Sequence, residues 1–364
     1  MVATIRRSIE AEYWVVDEEG RLTEPGALVD ASPGVEREFV EPLLEVKTTP
    51  CETTTQLRAE LFERVGQVLE RAGALGKRLV PLATPLNAGA VRDLPSERTR
   101  VQEQVVGDDF EYVRHCAGTH IHVEQLPGRV ADQINALIAL DPAFALVNSS
   151  PYFEGEYLAA GARSELYRRM AYGDVSHQGR LWRYATDTDE WTRRLERRYE
   201  EFLTAALEAG ADRQAIAANF TPETAVWTPV QLRETFGTVE YRSPDTTLPS
   251  RAVQLADDIV GVVEHLARTG LQVGGAPGLT EDGVVVPDFG TVLGHVDTAI
   301  EDGLESGSLR AYLDRMGFDT DAYAPVTHDL GGQERVTQTA ARDRRLDYAA
   351  RLEQDLQQVA VGDD

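Results

Sequence analysis

No stretch restricts this chain more than Gly118-Thr119-His120-Ile121-His122-Val123-Glu124. Side chains alternate along a strand, so His120, His122 and Glu124 would share one face, and Thr119, Ile121 and Val123 the other. The second face can be buried. The first carries two imidazoles and a carboxylate, roughly 7 Å apart at each step. Burying it is costly unless something charged, such as a metal ion, sits on it. A sheet face open to solvent would carry the same residues without one.

Three more stretches place acids on strands. Residues 6–16 alternate, with Ile9, Ala11, Tyr13 and Val15 opposite Ser8, Glu10, Glu12 and Trp14. Asp17-Glu18-Glu19-Gly20 then reads as a turn. Glu10 and Glu12 are adjacent on one face and repel unless a cation lies between them; on a solvated edge the pair would be unremarkable. Residues 40–48 read as a second strand, with Glu41, Leu43, Glu45 and Lys47 on one side. Pro42 puts an edge, a bulge or a strand start there. Lys47 can meet a phosphate or simply pair with Glu45. Residues 237–242 form a third acidic strand, where Thr238, Glu240 and Arg242 share a face. An arginine beside an acid suits a site that holds both cations and phosphate.

The remaining pattern is helical with short strands. Helices are predicted over residues 53–73, 99–112, 129–147, 189–208, 248–270 and 335–359. The first has a buried stripe of Leu57, Leu61, Val65, Val68 and Ala72 and a capping signal at Thr53 and Gln56. The third should break at Asp141-Pro142. Short strands are predicted at 79–83 and 225–227, and an ordered loop from Thr84 to Gly89. Arg163, Arg168 and Arg169 fall in a short helical piece. They can grip a phosphate or a substrate carboxylate, or balance an acidic surface.

With 364 residues the chain can build a large core, and nothing in it marks a linker, a repeat or a P-loop. A single domain over 1–364 is expected. Asp and Glu number 61 against 36 Lys and Arg, a formal charge of −25, and Lys47 and Lys77 are the only lysines. A GC-rich genome would explain the scarce lysine but not the charge. The charge fits a very salty cytoplasm, where ions screen the repulsion. No basic stripe suggests nucleic-acid binding. No run of about 20 apolar residues suggests a membrane span, and residues 1–9 hold no leader-like apolar stretch. Cys51 and Cys116 cannot form a disulfide framework, so a reducing cytoplasm is the expected location.

An antiparallel sheet with such a face resembles the catalytic sheet of the carboxylate–amine ligases related to glutamine synthetase. Residues 9–14 look like that group's Glu-x-Glu strand, and Leu44-Glu45-Val46-Lys47-Thr48 like its Val-Glu-x-x-Thr strand. Gly118-Thr119-His120-Ile121-His122-Val123 is similar to its Gly-Leu-His-Val-His-Val strand. Residues 148–155 resemble its Asn-Ser-Pro-Phe-x-x-Gly segment. Gly237-Thr238-Val239-Glu240-Tyr241-Arg242, with Asp245 beyond, resembles its Gly-Thr-x-Glu-x-Arg-x-x-Asp strand. Together these point to the glutamate–cysteine ligases of the second type, haloarchaeal enzymes included. One departure stands out. Where the family has an arginine in an Asp-x-Arg-Pro run, this chain has Gln231, with Arg233 two residues on.

The resemblance implies an α+β glutamine-synthetase-like fold, a largely antiparallel sheet with helices on its outer face. It implies an ATP-dependent ligase, using Mg2+ or Mn2+, that joins the γ-carboxylate of L-glutamate to the amine of L-cysteine through an acyl phosphate. Glu10, Glu12, Glu45, His120 and Glu240 would hold metal. His122 and Lys47 would lie near the phosphates, and Arg242 would stabilise the transferring phosphoryl group. Glu45 and Arg242 would thus be the catalytic pair, with Arg163, Arg168 and Arg233 holding substrate. The partners are small molecules, with a homo-oligomer allowed. Three rivals stay open: a different amine acceptor, a zinc hydrolase built on the His-x-His strand, and an inactive homologue that only binds. For zinc, His177, His265, His295 and His328 add no matching pattern.

The charge balance carries its own test. Melting temperature should rise steeply between 0.1 and 3 M KCl as screening relieves carboxylate repulsion. A flat profile would reject the salty-cytoplasm reading and leave the ligase reading untouched.

Overall fold

The main sheet is built around the strand that carries Glu10 and Glu12. Its strands are β1 (Arg7–Asp17), β2 (Val35–Arg37), β3 (Leu43–Lys47), β4 (Lys77–Val80), β5 (Thr119–Glu124), β6 (Val230–Arg233) and β7 (Thr238–Tyr241). They run in the order β2-β3-β1-β5-β7-β6, with β4 also pairing to β1, and every pairing is antiparallel. The computed structural model describes residues 4–173, 175, 177–330 and 335–360. Residues 1–3, part of the stretch read as lacking a leader, lie outside these.

Register decides which side chains meet. Glu10 stands opposite Lys47 on one side and His120 on the other. Glu12 stands opposite Glu45, His122 opposite Glu240, and Glu240 opposite Gln231. Residues directly opposite one another point to the same face of a sheet. The alternation therefore gathers the acids and imidazoles of four strands on one surface. The other surface is apolar. Ile9, Tyr13, Val15, Leu44, Val46, Ile121 and Tyr241 are all fully buried.

Helices cover that apolar surface. Those that matter for the site and its support are α1 (Thr54–Ala74), α2 (Glu97–Val106), α3 (Val130–Leu140), α4 (Thr188–Glu208), α5 (Pro249–Thr269) and α6 (Gln338–Ala360). α1, α3 and α5 pack on the sheet. Leu57, Leu61, Val65, Val68 and Ala72 of α1 are buried as their spacing predicts, and the Thr53 hydroxyl accepts from the Gln56 amide. The apolar segment from Val130 to Val147 is the one described helix long and apolar enough to cross a membrane, but 83% of it is buried within the fold. It changes at Asp141 from α-helix to a 3-10 segment, with Pro142 near its start. α2, α4 and the short helices Arg213–Asn219 and Pro222–Ala225 enclose a small core of their own, centred on Val101, Phe202, Ile216 and Phe220.

Some elements differ from the sequence expectations. Residues 225–227 are not a strand. Pro222 at the first helical position and a Thr221–Thr224 capping box start a helix there, and the strand comes later, at β6. The helix predicted over 99–112 stops at Gly107, whose φ of 72° only glycine adopts freely, and resumes at Phe110. The strand predicted at 79–83 lies at Lys77–Val80. The short strand β2 had no repeat length to announce it.

Arg168, expected to hold substrate, belongs to the core. Its Nη1 donates to Asp141 Oδ2 at 2.6 Å, and its Nη2 to Asp141 Oδ1 at 3.1 Å and to Ser243 Oγ at 2.8 Å. The pair is buried and ties the 3-10 segment at Asp141 to the chain just after β7. Three of its donors are committed inside the core, and its Nε is buried there without a partner. Removing one member strands a buried charge, so Arg168→Met should cost about 3–5 kcal/mol in urea unfolding. Adding Asp141→Asn should recover part of that loss. Unchanged stability, with a raised substrate KM, would return Arg168 to the substrate site.

Candidate active site

Two imidazole nitrogens and two carboxylates converge where β1, β5 and β7 meet. His120 Nδ1 lies 3.5 Å from Glu10 and 3.4 Å from Glu240. His122 Nε2 lies 3.6 Å from Glu10 and 3.7 Å from Glu240. The other His122 nitrogen, Nδ1, is 3.0 Å from Thr238 Oγ1, which fixes the ring. His122 Nε2 itself is buried and makes no hydrogen bond. Ligands around one divalent cation sit roughly 3–3.5 Å from each other. The four groups therefore match the donor set and spacing of a cation site. His122, expected beside the phosphates, stands with the metal-type ligands.

A second acidic group adjoins the first. Glu12, Glu38 and Glu45 bring carboxylate oxygens within 4.8 Å of one another, and Glu10, Glu45 and His120 form an overlapping set. Burial pushes Glu12 up to about 7, helped by the charge of Glu45 and opposed by Arg163. Burial pushes Glu38 up to about 8, with Glu12 adding to the effect. Glu45 is pushed well above the usual range by burial and by the charges of Glu38 and Glu10. The first group behaves in the opposite way. Burial opposes ionisation of Glu240, but Arg242, His122, His120 and Arg233 outweigh it and bring the group down to about 2. Glu10 is likewise held well below the usual range by both histidines, against the cost of burial. Three carboxylates this close cannot all ionise without added positive charge. Hard oxygen donors of this kind fit magnesium or manganese.

Cationic side chains border the two groups. Lys47 Nζ lies 2.8 Å from Glu45, 3.0 Å from Glu36 and 4.0 Å from Glu10, so it does pair with Glu45. Arg233 and Arg242 both reach Glu240 Oε2, at 2.9 and 3.1 Å. Arg242 Nη1 is also 3.4 Å from Gln231 Oε1. Arg233 thus sits beside Arg242 and Glu240, where Gln231 contributes only an amide. Arg163 is buried, and both its Nη groups donate to the backbone oxygens of Arg242 or Ser243. Its guanidinium lies against Gly118, where a Cβ would collide with it. The Gly118 amide in turn donates to Glu12 Oε2 at 2.6 Å.

These groups line one wall of a cavity of about 400 Å³. Glu10, Glu12, Glu45, Lys47, His120, Arg163, Arg233, Glu240 and Arg242 all border it, and Arg168 does not. Glu124, which shares parity with the histidines, is spent on Arg6 at the surface. Arg169 is spent on Glu165, Asp297 and Glu301. Sequence reasoning missed Glu38. Its signal was the alternation of Glu36 and Glu38 just before Pro42, in a stretch too short to read as a strand. It also missed the aromatic part of the cavity lining, which includes Phe110, Tyr167, Tyr172 and Trp227.

Comparison with known proteins identifies a family and a fold. A family model described as "Glutamate-cysteine ligase family 2" matches residues 6–274. Two relatives bear the name "Putative glutamate--cysteine ligase 2". That of Thermobifida fusca is 27% identical over 232 residues, 62% of this chain and 52% of its own length. That of Chloroflexus aggregans is 30% identical over 161 residues, 40% of each chain. The chain thus matches about half or less of the length of these relatives. Among solved structures, a bifunctional glutathione synthetase from Pasteurella multocida superposes with a TM-score of 0.53 at 13% identity, over 98% of this chain and 50% of its own. The glutamate–cysteine ligase of Francisella tularensis, in complex with AMP, gives 0.52 at 12% identity, over 97% of this chain and 89% of its own. At such identities the structures establish the shared fold, and the motif-bearing strands fall inside the matched residues. The chain belongs to glutamate–cysteine ligase family 2.

Proposed function

We propose that this chain is an ATP-dependent ligase that joins the γ-carboxylate of L-glutamate to the amine of L-cysteine. The observation that carries the reading is the pairing of two acidic groups, one with two imidazoles and one with three glutamates, beside Arg233 and Arg242 on a single cavity wall. Family membership and the names of the relatives support it.

The chemistry asks for such a wall. A glutamate γ-carboxylate oxygen attacks the terminal phosphorus of ATP; a new O–P bond forms, and ADP leaves with the electrons of the broken P–O bond. The amine lone pair then attacks the acyl carbon. A C–N bond forms, phosphate leaves with the C–O pair, and the amine proton passes to solvent. Carboxylate and triphosphate are both anions, so their approach needs neutralising charge. Glu10, His120, His122 and Glu240 would hold one divalent cation, and Glu12, Glu38 and Glu45 another. Bound Mg2+ or Mn2+ would supply charge neutralisation of the phosphates. Arg242 and Arg233, anchored on Glu240, would present their remaining guanidinium donors to the transferring phosphoryl group. Arg163 donates to the carbonyls just after β7 and its guanidinium lies against Gly118, so it acts by positioning. No covalent nucleophile is required. The Cys116 thiol is pushed far up by burial and suits none.

Two measurements test the reading. Glutamate plus cysteine should release ADP and phosphate in a magnesium-dependent assay run in high KCl. Glu45→Gln keeps shape but removes one charge, and should lower turnover at least about a hundredfold while the fold survives. ADP formed with glutamate and another amine would keep the ligase and discard cysteine. Zinc-dependent hydrolysis without nucleotide would favour the hydrolase. No turnover by folded protein would favour the binding homologue.

The second measurement is of protons. Glu12 and Glu38 are raised to about 7 and about 8, so both carry protons over much of the neutral range when no cation is bound. A cation needs them ionised. Mg2+ added to metal-free protein at pH 7 should therefore release protons, and its affinity should climb as pH rises from 6 to 9. Proton-neutral binding would remove these carboxylates from the metal site.

A further inference from the structure

The cavity also has an aromatic wall, which Arg163 and Arg242 adjoin. Trp227 stacks on Tyr167 with ring centroids 4.3 Å apart and planes 29° apart, and Tyr172 lies 5.9 Å from Tyr167. Phe110, Val105 and Val226 continue the wall. The three ring-bearing residues Tyr167, Tyr172 and Trp227 keep some exposure within the cavity they line. Burial pushes both phenols above their usual range, so they stay neutral.

Trp227 is also held rigidly. Gln178 is buried; its Oε1 accepts from the Trp227 amide at 2.7 Å, and its Nε2 donates to the Ala225 oxygen at 2.8 Å. The Gly179 amide donates to the Trp227 oxygen at 3.0 Å. A pre-positioned aromatic pair of this kind costs little ordering when a ligand binds.

Resting on the ligase reading, we propose that this wall is the acceptor pocket, and that the enzyme accepts primary amines carrying an aromatic or branched apolar group in addition to cysteine. Three observations carry the assignment. First, the wall lies next to the reacting centre. The Arg242 guanidinium is 5.9 Å from the Trp227 ring and 3.1 Å from Glu240. The acceptor nitrogen must reach the acyl carbon there, whereas a ribose and three phosphates separate the base of ATP from its terminal phosphorus. An acceptor side chain fits that short distance and a nucleobase does not. Second, Phe110, Tyr167, Tyr172 and Trp227 border the cavity together with Val105 and Val226, and apolar contact is what such groups reward. Third, Arg98, which also borders the cavity, is tied to the backbone. Arg98 donates its Nη1 and Nη2 to the Asn219 and Thr224 oxygens at 2.8 and 2.7 Å. Two of its donors are thus committed to the backbone, and an amine without a carboxylate leaves neither of them unpaired. Bond making is unchanged: the amine lone pair attacks the acyl carbon, phosphate leaves with the C–O electrons, and the proton goes to solvent.

The test runs the protein with ATP, glutamate and Mg2+ against cysteine, L-phenylalanine and 2-phenylethylamine, reading ADP and the coupled amide by mass. Amide should form with 2-phenylethylamine as well as with cysteine. Trp227→Ala should raise the KM for 2-phenylethylamine at least about tenfold, with the KM values of ATP and glutamate within about twofold of the parent. Trp227→Phe should restore most of the loss, which a mere folding defect would not allow. Amide with cysteine alone would overturn this inference and leave the ligase reading standing. A Trp227→Ala effect on the KM of ATP would assign the aromatic pair to the base and overturn it too. The absence of ADP with every amine would remove the ligase reading, and this inference with it.

Discussion

Negative charge gathered on one sheet face is the constraint to which the rest of this structure answers. Glu10, Glu12, Glu38, Glu45 and Glu240 meet in one cavity, and their neighbours divide them into two kinds. Glu10 and Glu240 have imidazoles and guanidiniums beside them and stay ionised. Glu12, Glu38 and Glu45 have mostly one another and are pushed toward the protonated form. Such a difference within a few ångströms is an incomplete electrostatic balance. In a surface protein it would relax by exposure to water. Here the cavity walls prevent that, and cations bound there would complete the balance.

The strands that bear this charge were legible because their period is 2 and their acids fall in phase with it. Ile9 to Val15 and Thr119 to Glu124 alternate cleanly, and the structure places them as adjacent strands. What the pattern could not give was the register between strands. That Glu12 faces Glu45, and that His122 faces Glu240, depends on pairing of distant segments. Glu38 was missed for the same reason. Its strand neighbour β2 is three residues long, and its place beside Glu12 comes from the turn around Pro42. Arginine roles were the least legible. Arg168 and Arg163 stand five residues apart on one short helical stretch, yet one is locked to Asp141 and the other borders the cavity. Both reach Ser243, and the pairing with Asp141 alone separates them, which no local spacing reports.

The aromatic wall was hidden for a different cause. Tyr167, Tyr172 and Trp227 are scattered over 61 positions of sequence and show no period. They come together because Gln178 and Gly179 fasten the segment before β6 to the loop after the short helix at Ala162. The strand predicted over 225–227 proved to be a helix end. Propensity favoured a strand for Ala225-Val226-Trp227, and the proline at position 222 and the threonine cap overruled it.

The two faces of β1 are coupled, and that coupling makes the site geometry dependable. Ile9, Ala11, Tyr13 and Val15 are buried to the last percent or so under α1 and α5. A slip of one residue in β1 would turn Glu10 and Glu12 into that core and expose the apolar set. The penalty for burying two carboxylates without partners far exceeds any gain from an altered pairing. The apolar face therefore fixes the register, and the register fixes the distances between Glu10, His120 and Glu240. The polar face alone could not do so, since its like charges push the strands apart. Precision at the charged face is thus supplied by packing on the far side of the same strands, where no ligand reaches.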